Sequence, residues 1–268
     1  MKDILKEICE YKKEVVIRDS QDISMEKMRS LAKNINVPSQ FTSNIEAKLQ
    51  NNQTAIIAEI KKKSPSQGLI REDFNVAQIA KDYKDGGAAC ISVLTDEKYF
   101  AGSNEYVKIA KENSDLPILR KDFIIDPYQI YQSKYLGADA ILLIMAYLSV
   151  EQAKEYEEIA NSIGLDVLVE SFNEDELKDS LELKTKLIGI NNRNLKTLDT
   201  SLENITTLKT LIPKSRLAIC ESGINSIQDF QEIKNLGINC FLIGGFFMKQ
   251  KNVKDSISHL SGLLQPAQ

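Results

Sequence analysis

The chain has no tryptophan and one histidine, His259, among its 268 residues. A zinc site built on histidine pairs is therefore excluded, and a Ser-His-Asp triad would need that one imidazole in the interior. His259 falls instead in a C-terminal helical pattern and is expected at the surface. Cysteine is scarce: Cys9, Cys90, Cys220 and Cys240 form no Cys-x-x-Cys pair, and three of them sit in apolar, strand-like runs. Buried reduced thiols are expected rather than disulfides or a metal centre. No apolar run is long enough to span a bilayer. The opening Met1-Lys2-Asp3-Ile4-Leu5-Lys6-Glu7 carries charge where a secretory signal needs an apolar core. A cytoplasmic protein without membrane partners is expected. An excess of basic charge is also missing: 34 Lys and Arg against 38 Asp and Glu leave −4, so no chain-wide field attracts nucleic acid. An anionic small ligand would need a local cationic pocket.

The apolar and charged fractions, 43% and 27%, are those of an ordinary globular protein. No low-complexity linker divides the chain, which reads as one domain, residues 1–268, with residues 1–50 as an N-terminal helical extension. In that extension Ile4, Leu5, Ile8 and Cys9 recur at helical spacing, as do Met25, Met28, Leu31, Ala32 and Ile35, and then Phe41, Ile45 and Leu49. Nothing there has a catalytic pattern; packing against the main body is its expected role.

From Ala55 the pattern alternates. Eight short apolar runs follow: Ala55–Ile60, Cys90–Leu94, Pro117–Arg120, Ala140–Ile144, Val167–Val169, Leu187–Ile190, Leu217–Cys220 and Cys240–Ile243. Helix starts lie between them at Asn75, Ser103, Asp126-Pro127, Ser149 with Gln152, Asn173 with Glu176, and Ser226. Gly86-Gly87, Gly137, Gly164 and Gly237 stand where those helices should stop. The repeat, roughly 22–34 residues, is the size of one strand-helix unit of a (β/α)8 TIM barrel. A doubly wound open sheet is the competing α/β architecture, but no Gly-x-Gly-x-x-Gly follows the first strand.

Active sites of such barrels lie at the C-terminal ends of the strands. The first strand delivers Glu59 and Lys61, two residues apart and of the same parity as Ile57, so both point into the barrel. Later strands end in Arg120-Lys121-Asp122-Phe123, Glu170-Ser171, Asn191-Asn192-Arg193-Asn194, Glu221-Ser222-Gly223 and Gly244-Gly245. One polar strand end is ordinary solvation. Three glutamates, two lysines and an asparagine converging on one mouth point to catalysis. Ser222-Gly223 and Gly244-Gly245 follow the seventh and eighth strands, a frequent phosphate site built from backbone N–H groups. The expected partner is a small phosphorylated substrate.

Together these blocks resemble the indole-3-glycerol-phosphate synthase family. The resemblance is carried by Ile57-Ala58-Glu59-Ile60-Lys61-Lys62-Lys63-Ser64-Pro65-Ser66, Leu94-Thr95-Asp96 with Tyr99-Phe100-Ala101-Gly102-Ser103, and Leu119-Arg120-Lys121-Asp122-Phe123. It continues through Leu168-Val169-Glu170, Gly189-Ile190-Asn191-Asn192-Arg193-Asn194-Leu195, Glu221-Ser222-Gly223-Ile224 and Leu242-Ile243-Gly244. It implies a (β/α)8 barrel that closes the indole ring of 1-(2-carboxyphenylamino)-1-deoxyribulose 5-phosphate with loss of carbon dioxide and water, in tryptophan biosynthesis. It implies no cofactor and no metal. A monomer is expected, with association with other enzymes of the pathway left open. Where the family commonly has Ser or Glu before Leu-Met, this chain reads Gly245-Phe246-Phe247-Met248, so a side-chain hydroxyl contact to phosphate is lost and a backbone cradle remains.

On this reading Lys121 is the acid that activates the ketone, its pKa lowered by burial beside other cations. Lys61 holds the substrate carboxylate and shares in the dehydration. Glu170 is the base of the dehydration, and Glu59 and Glu221 orient the lysines. Asn191 hydrogen-bonds the substrate and Arg193 braces its loop or binds the anionic substrate, with Ser64, Phe100, Phe123 and Leu195 also at the substrate; Ser222, Gly223, Gly244 and Gly245 hold the phosphate. Two other phosphate-binding barrel activities fit less well. A phosphoribosylanthranilate isomerase would need a cysteine early in the barrel, and a Schiff-base aldolase a lysine where the sixth strand ends in Asn191.

Overall fold

The computed structural model describes residues 3–195 and 197–262. Eight parallel strands close into a barrel, each paired with its neighbours in sequence and the last paired with the first. They are β1 (Ala55–Ile60), β2 (Cys90–Leu94), β3 (Ile118–Lys121), β4 (Ala140–Ile144), β5 (Asp166–Ser171), β6 (Leu187–Asn191), β7 (Leu217–Glu221) and β8 (Cys240–Ile243). The seam is made by Ala55 to Ala58 of β1 against Cys240 to Ile243 of β8.

The strands are apolar on both faces because each separates two cores. Ile56, Ala58 and Ile60 face the outer helices, with Ile91, Val93, Ile141 and Leu143. Ala55 and Ile57 face the barrel interior, with Leu119, Leu142, Leu168, Ile219 and Leu242. Period two along each strand produces this division. Most helix starts fall where the caps predicted them. Asp126, Ser149 and Ser226 form full capping boxes with Gln129, Gln152 and Asp229. Asn75 and Asn173 accept from the third helical N–H. The helix expected at Ser103 begins one residue later, after Asn104.

Several strands run further than their apolar runs. The third begins after Pro117 and includes Lys121; the fifth extends to Ser171, the sixth to Asn191 and the seventh to Glu221. Pairing continues through these polar ends: Leu94 opposes Lys121, Ile144 opposes Glu170, and Asn191 opposes Glu221. The charged side chains thus stand on hydrogen-bonded strand rather than loop, which limits their play.

The first fifty residues form α1 (Ile4–Asp22), α2 (Met25–Lys33) and α3 (Phe41–Gln50). α3 closes the end of the barrel where strands begin. Phe41 and Ile45 are fully buried in the interior core, and Asp166, at the start of β5, accepts from Ser39 Oγ at 2.7 Å and Thr42 N at 2.9 Å. Burying side chains of this size is worth roughly 1.5–3 kcal/mol each, so two such contacts with the Asp166 tether suffice to seat a three-turn helix. α1 lies at the opposite end: Leu5, Ile8 and Cys9 join the interior core above the strand ends. All four cysteines are buried and free, and His259 is exposed.

Candidate active site

A pocket opens at the C-terminal ends of the strands, and every residue singled out by the sequence lines it. Glu59, Lys61, Lys121, Glu170, Asn191 and Glu221 come from the ends of five strands. Ser64, Phe100, Phe123, Arg193 and Leu195 come from the segments that follow, and Ser222, Gly223, Gly244 and Gly245 from beyond β7 and β8.

Glu59 and Lys61 do share a side: the Lys61 ammonium donates to Glu59 Oε1. Burial alone would push the Glu59 carboxyl up, but Lys61, Lys121 and Arg193 outweigh it and hold it below the usual range. Glu59 is therefore a buried anion with cations around it. Its backbone is fixed as well, since the Tyr83 hydroxyl donates to Glu59 O at 2.8 Å.

Lys121 lies 3.5 Å from Glu170 Oε2 and 3.6 Å from Glu221 Oε2. The expectation of a lowered lysine pKa is overturned. Burial does pull it down, but Glu170, Glu221 and Glu59 together raise it above the ordinary lysine range. Its neighbours are carboxylates, not cations, so Lys121 stays an ammonium. Glu221 behaves oppositely to Glu59. Burial, then the charge of Glu170, drive its carboxyl well above the usual range, against the pull of Lys121. The mouth thus contains one acid held below the usual carboxyl range and one pushed above it, separated by environment alone.

Asn191 Oδ1 accepts from Arg193 N at 3.0 Å, and Arg193 reaches back to Leu198 O at 2.9 Å. Burial weakens the Arg193 guanidinium's hold on its proton and Glu59 partly restores it. The neighbouring Asn192 escaped attention as a separate residue in the sequence. It donates to Glu221 O and Ser222 O, both at 3.1 Å, and accepts from Ile205 N at 3.0 Å, stitching the ends of β6 and β7 together. Ser64 turns out to be structural as well as pocket-lining: its hydroxyl accepts from Gln67 N at 3.2 Å, inside the small hairpin of Lys63–Ser64 and Gly68–Leu69. The Phe100 and Phe123 rings face one another at 6.1 Å across the pocket wall.

The four proposed phosphate residues differ from one another. Ser222 and Gly223 are both left-handed, φ 62° and 87°, and together turn the chain sharply after β7. A side chain on Gly223 would strike Leu202. Gly244 is needed for a different reason than expected: a Cβ there would lie 2.3 Å from Glu59 Oε1. Its bare backbone makes room for that buried carboxylate. At Gly245 a Cβ would meet only Gln67 Oε1, at 3.5 Å, so that position tolerates a side chain.

The N-terminal helix contributes more than packing. Ile4, Leu5 and Ile8 of α1 line the pocket as a roof. One turn on, Lys12 is buried, with its ammonium 2.8 Å from Asp96 and 2.8 Å from Asp122, both buried too. Asp122 also accepts from Thr95 Oγ1 at 2.6 Å and pairs with Arg120 at 3.2 Å. The amphipathic pattern of α1 gave no sign of Lys12; only its partners, 84 and 110 positions away, reveal it. Among the described residues, no group of three or more His, Cys, Asp or Glu is gathered as a metal would require.

Comparisons with known proteins agree with this geometry. A family model described as indole-3-glycerol phosphate synthase matches residues 5–260. The indole-3-glycerol phosphate synthase of Polynucleobacter necessarius is 45% identical over 265 residues, covering 97% of this chain and 99% of its own. That of Delftia acidovorans is 44% identical over 265 residues, with the same coverage. Among solved structures, the thiamine phosphate pyrophosphorylase of Pyrococcus furiosus superposes with TM-score 0.58 over 80% of this chain and 96% of its own, at 14% identity. KGPDC from Streptococcus mutans superposes with TM-score 0.59 over 78% of this chain and 96% of its own, at 13% identity. At such identities the likeness speaks for the barrel alone.

Proposed function

Since the chain belongs to the indole-3-glycerol phosphate synthase family, we propose that the pocket beneath α1 closes the indole ring with the roles given below. The enzyme is a carboxy-lyase of tryptophan biosynthesis acting on a phosphorylated small molecule. Its substrate on this reading is 1-(2-carboxyphenylamino)-1-deoxyribulose 5-phosphate.

The reaction joins the ring carbon that bears the carboxylate to the ketone carbon. Lys121, kept cationic chiefly by the Glu170 carboxylate, faces the ketone oxygen. A lysine so stabilised is a weak acid, but an alkoxide is a far stronger base than any amine. The proton therefore moves as the carbon–carbon bond forms, and the ammonium charge stabilises the oxygen until then. The bond to the carboxylate then breaks, carbon dioxide leaves, and the electron pair returns to the ring. Lys61, which already donates to Glu59, anchors the carboxylate beforehand. In the last step the new hydroxyl takes a proton from Lys61 and leaves as water, while Glu170 takes the proton from the neighbouring ring position. Glu59 and Glu221 hold the two lysines; Asn191 and Arg193 bind the sugar chain, and Phe100, Phe123, Ser64 and Leu195 wall the aromatic end. The phosphate sits on the backbone of Ser222, Gly223, Gly244 and Gly245.

The observation that carries this reading is the position of Lys121 between Glu170 and Glu221, at 3.5 and 3.6 Å. The test is fluorescence: indole product emits where the anthranilate-type substrate does not. The parent should show a rising indole signal. Lys121→Met should lose turnover by about three orders of magnitude or more, the loss expected for removing a positioned acid and its charge together, with an unchanged circular dichroism spectrum. Near-normal turnover in that variant would remove Lys121 from the acid role.

A further inference from the structure

We propose that Gly189 is a positioning residue of this site: its missing side chain is the seat that lets the Glu221 carboxyl lie beside Glu170 as a proton-sharing pair. The inference rests on the roles assigned above to Glu170 and Glu221, and extends them to a residue that cannot itself touch a proton.

Gly189 lies in the middle of β6, opposite Glu170 in the β5–β6 ladder, and two residues before Asn191, which opposes Glu221. An interior position of this strand would ordinarily carry a branched apolar side chain to fill the barrel. Here an ideal Cβ would stand 2.0 Å from Glu221 Oε1 and 3.1 Å from its carboxyl carbon, and the first of these is closer than any real contact allows. The backbone of Gly189 does not explain its glycine, since it is not among the residues with positive φ. Space is the only thing a glycine supplies there, and the Glu221 carboxyl fills that space.

Among the described residues, no N–H or O–H donor makes a hydrogen bond to either buried oxygen of Glu221 or to Glu170 Oε2. Lys121 approaches both acids at ion-pair distance. Two carboxyls crowded together and facing one ammonium cannot both be ionised cheaply, so one proton belongs to the pair. The Glu221 carboxyl, pushed well above the usual range by burial and by the charge of Glu170, is the one that keeps it. The singly protonated form is the competent one, with Glu170 free to accept and Glu221 holding its proton.

A methyl group at position 189 must push the Glu221 carboxyl out of its seat and loosen that sharing. In Gly189→Ala, kcat should fall by about tenfold or more, the scale of a displaced acid–base group. The basic limb of the kcat–pH profile, set by loss of the Glu221 proton, should also move to lower pH and narrow the plateau. A merely structural defect would lower the amount of active enzyme without moving either limb. A folded Gly189→Ala protein with both limbs unchanged overturns the proposal. The second measurement needs no turnover, so it stands even if the reaction assigned to the site is wrong. Gly189→Ala should lower Tm by several degrees in the parent and by much less in a Glu221→Ala background, where the two nearest obstacles are gone and the third, the Leu168 Cδ1 at 3.3 Å, is the end of a side chain that can move. An equal loss of Tm in both backgrounds, or a failure to fold that Glu221→Ala does not rescue, overturns it as well.

Discussion

At the level of single residues, the site separates its glutamates by environment. Lys61, Lys121 and Arg193 hold the Glu59 carboxyl below the usual range, and burial and Glu170 push that of Glu221 well above it. Stability follows with opposite signs. The folded-state value of Glu221 is raised, so its contribution is fully present below the ordinary carboxyl value of 4.5 and is lost as pH rises through the folded value. Glu221→Gln removes that loss. Its Tm should therefore gain on the parent progressively as pH rises from about 5, in a thermal-melt series across pH. A constant offset between the two proteins would place Glu221 as an ordinary ionised acid. Gly245 offers a second test, because a side chain there meets only Gln67 at 3.5 Å. Gly245→Ser should leave Tm within a degree or so of the parent, as expected of a substitution into open space at a compatible φ. If the phosphate lies where Ser222 and Gly223 turn, it should also lower KM with kcat little changed. A KM that rises would move the phosphate away from β8. The residue types at strand ends were legible in the sequence. Their protonation was not: the lowered lysine pKa expected for Lys121 assumed cationic neighbours, and strand order alone does not say which side chains end up 3.5 Å apart.

At the level of elements, α1 departs most from its sequence. Its apolar spacing predicted a helix that packs, and it does pack, but onto the mouth, with Ile4, Leu5 and Ile8 facing the pocket. Lys12 fastens it. Together with Arg120, Lys12 balances the buried Asp96 and Asp122, and Asp96 also caps the short helix Glu97–Phe100 through Tyr99 N at 2.7 Å. Lys12→Met leaves two buried carboxylates with one cation. Removing one partner of a buried pair costs about 3–5 kcal/mol, so denaturant midpoints should drop clearly. Adding Asp96→Asn should recover part of that loss. Where the variant remains folded, KM should rise more than kcat falls, because the roof shifts and the strand-borne acids do not. A kcat loss with KM unchanged would mean that Lys12 acts on the chemistry instead. The strands themselves were read correctly in number and place. They were read short because a hydrophobic run ends where the polar residues begin, whereas the hydrogen-bond ladder continues through Lys121, Glu170, Asn191 and Glu221.

For the whole molecule, eight alternating units and the Glu59–Lys61 spacing were enough to place the mouth, since a closed barrel sends every strand end to one side. What the sequence concealed is the spacing between strands. Gly189 and Gly244 look like any glycines until Glu221 and Glu59 are seen to occupy the room they leave. The second of these contacts lies on the seam. Glu59 belongs to β1, the first strand to leave a ribosome, and Gly244 follows β8, the last. The wall against which Glu59 rests is therefore synthesised after all the other strands. A chain that lacks the final strand can already carry both lysines and all three acids, yet it lacks the bare backbone against which the first of them rests. Closing the ring and setting Glu59 against its wall are therefore a single event.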